Sequence, residues 1–285
     1  MQVKAYAKVN LTLDILRRRS DGYHDLQMVM QSVDLSDTLT ITPVQGRGRM
    51  STTLSFLPGD DRNLAQSAAA AFRTAAGSGP QVDIHIEKRI PVCAGLGGGS
   101  ADAAAVLHAM NALTGAALPV ETLAEAGMQV GSDVPFCVLG GTALAEGRGE
   151  RLTPLPALPE CHVVICKPPF PISTPKLFAQ VDVRRISRRP DTAGLIAALE
   201  GQDLPGVARR LYNVFEDVLD PRQRSQICAI KAALIDCGAL GASMSGSGPS
   251  VFGLFDRAEA AQSAYGQLAR RFRDTFLCKT IGTVC

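Results

Sequence analysis

The segment 91–104, PVCAGLGGGSADAA, constrains this chain more than any other, because glycine fills four of the five positions from 95 to 99. Ahead of it, Val82, Ile84 and Ile86 alternate with Asp83, His85 and Glu87, the period of a half-buried strand. Behind it, Ala103, Val106, Leu107, Met110 and Leu113 recur at helical spacing, and residues 111–115 supply a stop. Without Cβ atoms the loop can take positive φ, approach a ligand closely and turn successive N–H groups inward. Ser100 stands where the helix should begin, so the unpaired N–H groups of its first turn and the positive end of its dipole would face one spot. Strand, glycine loop and helix together predict a phosphate site. A flexible surface turn capped by Ser100 is the alternative.

Two better-known glycine loops are excluded. A Walker A loop ends in Gly-Lys-Ser/Thr, whereas Gly99 runs directly into Ser100. A dinucleotide fingerprint requires glycine at the sixth position from Gly95, and that residue is Ser100.

Elsewhere, Val3, Ala5, Ala7, Val9, Leu11, Leu13 and Ile15 predict one apolar strand face, with Lys4, Tyr6, Lys8, Asn10, Thr12 and Asp14 on the other. Periodicity alone reads that second face as solvent-exposed, although Lys8 and Asn10 would present a cation and an amide to one ligand. Ser20-Asp21-Gly22 marks a turn that carries Tyr23 and His24 into a second strand toward Ile41, either a plain hairpin tip or a clasp for a base. Residues 60–63 start a helix over 64–76, and 120–127 form another. In Gly131-Ser132-Asp133-Val134-Pro135, Asp133 fits a helix cap, with a base or a cation partner as the other role.

Prolines 154, 156 and 159 suggest a linker over 151–160. A strand over 163–166 and a stiff proline loop toward Phe178 follow, then a basic run of Arg184, Arg185, Arg188 and Arg189 read as a solvated face. Helices are expected near 192–200, 205–217, 225–237 and 258–271, with a second glycine-rich stretch, GASMSGSGPSVFGLF, over 241–255. Two glycine loops, one per half, suggest a nucleotide held between lobes.

The 285 residues suffice for two domains, and a net charge of +2 is far from that of a dedicated nucleic-acid binder. No apolar run is long enough for a bilayer, and the N-terminus lacks a signal-peptide core, so a cytoplasmic protein with no membrane partner is expected. Cysteines 93, 137, 161, 166, 228, 237, 278 and 285 show no C-x-x-C spacing and are read as free thiols; no structural metal is expected.

The Lys8-Val9-Asn10 strand, PVCAGLGGGSADAA and GASMSGSGPSVF, in this order and spacing, resemble the three motifs of the GHMP small-molecule kinases over nearly the whole chain. The resemblance implies an α+β fold of two lobes, the first (1–155) like domain 2 of ribosomal protein S5 and the second (160–285) ferredoxin-like. AKVNLTLDILRRRSDGYHDLQ, GSDVPF and PFPISTPKLF resemble, within that family, the segments of members acting on 4-diphosphocytidyl-2-C-methyl-D-erythritol. The implied activity moves the γ-phosphoryl of ATP to the C2 hydroxyl of that alcohol, on the non-mevalonate route to isoprenoid precursors.

By the same resemblance, Lys8 and Asp133 match catalytic positions. Pro91, Val92, Cys93, Ala94, Gly95, Leu96, Gly97, Gly98, Gly99, Ser100 and Ala101 would cradle the ATP phosphates, with Asn63 and Lys88 also at nucleotide positions. Tyr23, His24 and Phe178 match a cytidine pocket of two rings and an imidazole; Asn10 and Thr174 are further substrate residues, and Ser100 is the candidate ligand for Mg²⁺. A monomer or weak homodimer is expected, with no nucleic-acid partner. Relatives often carry a second serine where Ala101 stands, and a smaller residue at Cys93. The rivals are a homoserine- or mevalonate-type kinase, against which Tyr23, His24 and Phe178 argue, and an RNA-binding protein suggested by the S5-like lobe and the arginine run.

Overall fold

In the computed structural model, which describes residues 1–183, 186 and 188–283, the chain opens with two long antiparallel strands, β1 (Gln2–Arg18) and β2 (His24–Val44). They are followed by β3 (Met50–Thr52), α1 (Leu64–Ala75), β4 (Gln81–Glu87), α2 (Gly98–Thr114), α3 (Val120–Met128), α4 (Val134–Leu139), β5 (Thr142–Gly147) and β6 (Arg151–Pro154). Then come β7 (His162–Lys167), α5 (Thr174–Gln180), α6 (Thr192–Glu200), α7 (Leu204–Ala208) and β8 (Tyr212–Asn213). The last elements are α8 (Pro221–Asp236), β9 (Gly241–Met244), β10 (Val251–Phe255), α9 (Ala258–Ala269) and β11 (Asp274–Lys279).

The first sheet runs β3-β4-β2-β1-β8, with β5 and β6 extending from β2. Its apolar face takes Ala5, Ala7, Val9, Leu11, Leu13 and Ile15 from β1 and packs beneath α2, whose Ala103, Val106, Leu107 and Met110 are buried. The second sheet is antiparallel, ordered β11-β7-β10-β9, and is backed by α8 and α9. Its β10 is buried at every residue, as the uninterrupted apolar run VFGLF requires. Two sheets with segregated helices make the α+β architecture expected from the motifs.

Four expectations change. Lys8, Asn10, Thr12 and Asp14 are buried rather than solvated, because Asp133 and Arg189 close over that face. The helix expected over 205–217 stops at Ala208. Tyr212 and Asn213 are drawn into parallel pairing with Thr12 and Leu13, and Val214–Asp217 form a 3₁₀ turn, so tertiary pairing overrides local propensity. Residues 151–154, read as linker, are β6. Arg188 lies over the Tyr212 ring at 4.7 Å and Arg189 pairs with Asp14 at 2.7 Å, so neither is a free cation on a solvated face; Arg184 and Arg185 lie outside the described residues. Every described cysteine is a free thiol, while Cys285 lies outside them. Burial pushes the Cys161 and Cys166 thiols up to about 11 and Cys278 to about 12.

The C-terminal half reaches back into the first sheet. Beyond β8, Thr280 bridges Val33 and Thr283 bridges Gly140, while Gln31 Nε2 donates to Ile281 O at 2.8 Å. No helix among the described residues is long and apolar enough to cross a membrane.

Candidate active site

A cleft of about 1640 Å³ opens where the two halves meet, lined by Lys8, Asp133, the glycine loop from Pro91 to Ser100, and the hairpin tip that carries Tyr23 and His24. Lys8 is 3% exposed on β1; its Nζ donates to Asn10 Oδ1 at 2.7 Å and lies 3.2 Å from Asp133 Oδ2. Asp133 stands at the N-cap position of α4, yet its side chain makes no capping bond. That frees the carboxylate for Lys8 and the cleft, and removes the cap as its role.

The glycine loop fits closely around this pair. Lys8 N–H donates to Leu96 O at 3.0 Å, and a Cβ on Gly97 would come within 3.0 Å of Lys8 Cγ. Helix α2 begins at Gly98, two residues earlier than the sequence suggested, after Gly97 at φ 70°. Ser100 therefore lies in the first turn, whose N–H groups have no partners within the helix and face the cleft. The second glycine loop closes against the first: Ser245 Oγ donates to Gly95 O at 2.9 Å, and Ser250 N–H donates to Ala94 O at 3.2 Å. Cys93 is exposed at φ 53°, whereas Ala101 is 2% exposed and turned from the cleft into the core.

Two residues expected to contact the nucleotide already have structural work. Asn63 caps α1, accepting from Ala65 N–H at 3.1 Å, while lining the cleft. Lys88 sits buried between Asp37 at 2.5 Å and Asp102 at 2.7 Å. Burial opposes its ammonium, but the two carboxylates outweigh it and raise its pKa. Asp102 Oδ1 is buried with no hydrogen-bond partner among the described residues. Its carboxyl is pushed up to about 7, first by burial and further by Asp37, with Lys88 opposing.

At the far end, His24 stacks on Phe178 with centroids 5.2 Å apart, and Phe178 meets Phe215 edge-on at 4.9 Å. Burial and the nearby Arg18 lower the His24 pKa, which favours the neutral imidazole. Tyr23 is exposed, and its ring contact is with the Arg148 guanidinium at 5.2 Å, not with Phe178. Thr174 Oγ1 is 2.7 Å from Ser247 Oγ, joining α5 to the second loop. Asn10 is fully buried and does not line the cleft; it touches Lys8 instead.

Comparison with known proteins agrees with this geometry. The models for "GHMP kinases N terminal domain" and "GHMP kinases C terminal" match residues 63–141 and 195–274. A 4-diphosphocytidyl-2-C-methyl-D-erythritol kinase of Exiguobacterium sibiricum is 44% identical over 281 residues, covering 98% of each chain. The chain belongs to this family of GHMP kinases. The same kinase from Syntrophomonas wolfei is 44% identical over 275 residues, 96% of each chain. A solved 4-(cytidine 5'-diphospho)-2C-methyl-D-erythritol kinase superposes with a TM-score of 0.83 at 34% identity, covering 99% of this chain and 100% of its own. Homoserine kinase from Cytophaga hutchinsonii, at 21% identity and a TM-score of 0.75 over 99% of this chain and 95% of its own, shares the fold.

GHMP kinases are ATP-dependent, and this cleft carries a glycine loop at one end and stacked rings at the other. Residues that the motifs did not single out complete the kinase cleft. Asn213 Nδ2 donates to Met244 O and Gly246 O, both at 2.8 Å, and shapes the second loop; Asp37 Oδ1 accepts from Ile90 N–H at 2.8 Å and holds the start of the first. Their partners are remote in sequence and leave no local pattern.

Proposed function

We propose that this chain transfers the γ-phosphoryl group of ATP to the C2 hydroxyl of 4-diphosphocytidyl-2-C-methyl-D-erythritol, giving the 2-phosphate and ADP in isopentenyl diphosphate biosynthesis. The observation that carries it is the ion pair of Lys8 and Asp133 between the glycine loop and the His24 and Phe178 stack. Asp133 accepts the hydroxyl proton as the oxygen forms its bond to the γ-phosphorus. The bond from phosphorus to the bridging oxygen breaks, and its electron pair leaves with ADP. Base assistance of this kind contributes about 10²–10⁴-fold. Lys8, held in place by Asn10, offsets negative charge on the transferring group; positioning and electrostatics carry most of phosphoryl transfer.

The loop from Pro91 to Ser100 receives the ATP phosphates on its backbone N–H groups. No group of three or more His, Cys, Asp or Glu among the described residues forms a metal cage. Mg²⁺ would be bound chiefly by ATP oxygens and water, with the hydroxyl of Ser100, in the first turn of α2 at the cleft, as its protein ligand. Mg²⁺ supplies charge neutralisation at the phosphates. His24 and Phe178 receive the cytosine, and Tyr23 covers it from the hairpin tip. Lys88 and Asn63 act on the nucleotide through the loop and helix that they hold. A cytoplasmic monomer or weak homodimer, its two domains meeting at 155–160, completes the proposal.

The test is ADP release with ATP and Mg²⁺, offering the cytidine alcohol beside homoserine, mevalonate and galactose. Turnover confined to the first is expected. Turnover with another alcohol would overturn the substrate, and none with any of the four would overturn the kinase assignment.

A further inference from the structure

Half of the Lys and Arg side chains lining the cleft are already paired: Lys8 with Asp133, Lys88 with Asp37 and Asp102, and Arg62 with Asp60. Arg148 lines the same cleft, is exposed, and makes no ion pair among the described residues. Asp21, the acid that feels its charge, is itself held by Arg19.

Arg148 stands at the tip of the turn between β5 and β6, where Gly147 and Gly149 take φ of 70° and 109°. The turn is braced from within, because Arg148 N–H donates to Glu150 Oε2 at 2.5 Å. On one side it abuts the proposed base: a Cβ on Gly149 would lie 3.8 Å from Ser132 O and 3.9 Å from Asp133 Oδ1. On the other, the Arg148 guanidinium lies 5.2 Å from the Tyr23 ring centroid. The turn, through Gly149 and Arg148 together, thus reaches from the Asp133 carboxylate to the Tyr23 ring.

A substrate with its base at Tyr23, His24 and Phe178 and its hydroxyl at Asp133 lays its two phosphates along that span. A planar guanidinium with unspent donors suits them, since it can hold phosphate oxygens two at a time. Arg18 and Lys176 also line the cleft without an ion pair among the described residues. Arg18 is in register with His24, however, and Lys176 is on α5 near Phe178, so both mark the base end. Of the three, Arg148 is the one whose turn touches Asp133.

We propose that Arg148 receives the diphosphate of the substrate and so selects a nucleoside diphosphate alcohol over a free alcohol. The inference rests on the cytidine substrate proposed above. It is tested by titration calorimetry with CDP and with cytidine on the full chain, the ATP site being saturated with a non-hydrolysable analogue and Mg²⁺. Wild-type protein should bind CDP more tightly than cytidine. Arg148→Ala should weaken CDP by about tenfold or more while leaving cytidine within about twofold, and Arg148→Lys should recover part of the loss. Equal weakening of both ligands would mean that Arg148 only braces Tyr23, and would overturn the assignment. So would unchanged CDP binding, or a selective loss found in Lys176→Ala instead. Wild-type protein that bound neither ligand would overturn the cytidine substrate itself, and the Arg148 assignment with it.

Discussion

Asp133 shows how a single side chain is released for chemistry. Its backbone starts α4 while its carboxylate leaves the helix uncapped and meets Lys8. Asp133→Asn keeps the shape and removes the base, so turnover should fall by at least about 10²-fold with the ATP dissociation constant nearly unchanged. Single-turnover kinetics beside nucleotide titration separate the two, and full activity would end the assignment. Asp102 gives a prediction of another kind. Its folded pKa of about 7 lies above the roughly 3.9 of an unfolded aspartate, so the folded state retains a proton that the unfolded chain gives up. The stability it contributes is complete below about pH 4 and is lost as pH rises through about 7. Asp102→Asn should therefore gain stability relative to wild type as pH rises across that window, measured by urea midpoints at pH 5 and pH 8. A constant difference between the two proteins would contradict it.

The elements divide by how locally they are specified. The glycine loop and β1 were legible because four glycines and an alternating strand announce themselves within a few residues. The hairpin tip was legible as a turn, but the pairing of Tyr23 with Arg148 was not, since β5 and β6 carry that arginine from more than a hundred residues away. Burial of the polar face of β1 could not be read from its period either, because the period does not reveal that a second layer will cover it. Glycine also separates by context. At Gly95, with φ 76°, an added Cβ would fall 2.0 Å from Ser245 O, so Gly95→Ala should force the two loops apart, costing about 2 kcal/mol or more and weakening ATP binding. Gly266 lies inside α9 with open space around it, so Gly266→Ala should stabilise the chain by up to about 1 kcal/mol. Denaturant titration of both variants checks the contrast, and similar effects at the two sites would refute it.

At the scale of the molecule, the two halves are interlocked rather than apposed. Asn10 N–H donates to Ser245 Oγ at 3.2 Å, Thr12 pairs with Tyr212, and residues 280–283 bridge back to β2 and Gly140. Both sheets should therefore unfold in one transition, with hydrogen exchange in β1 and β10 protected by the same free energy. Separate transitions would show that the lobes are independent. The returning segment also sets an order of events on the ribosome. The first half of the chain emerges with the edge of β1 still waiting for residues 212–213 and the Gln31 side chain for Ile281, 250 residues further on. Until those residues are made the nascent chain carries an unfinished sheet, and it is during those seconds, not afterwards, that it most needs a chaperone.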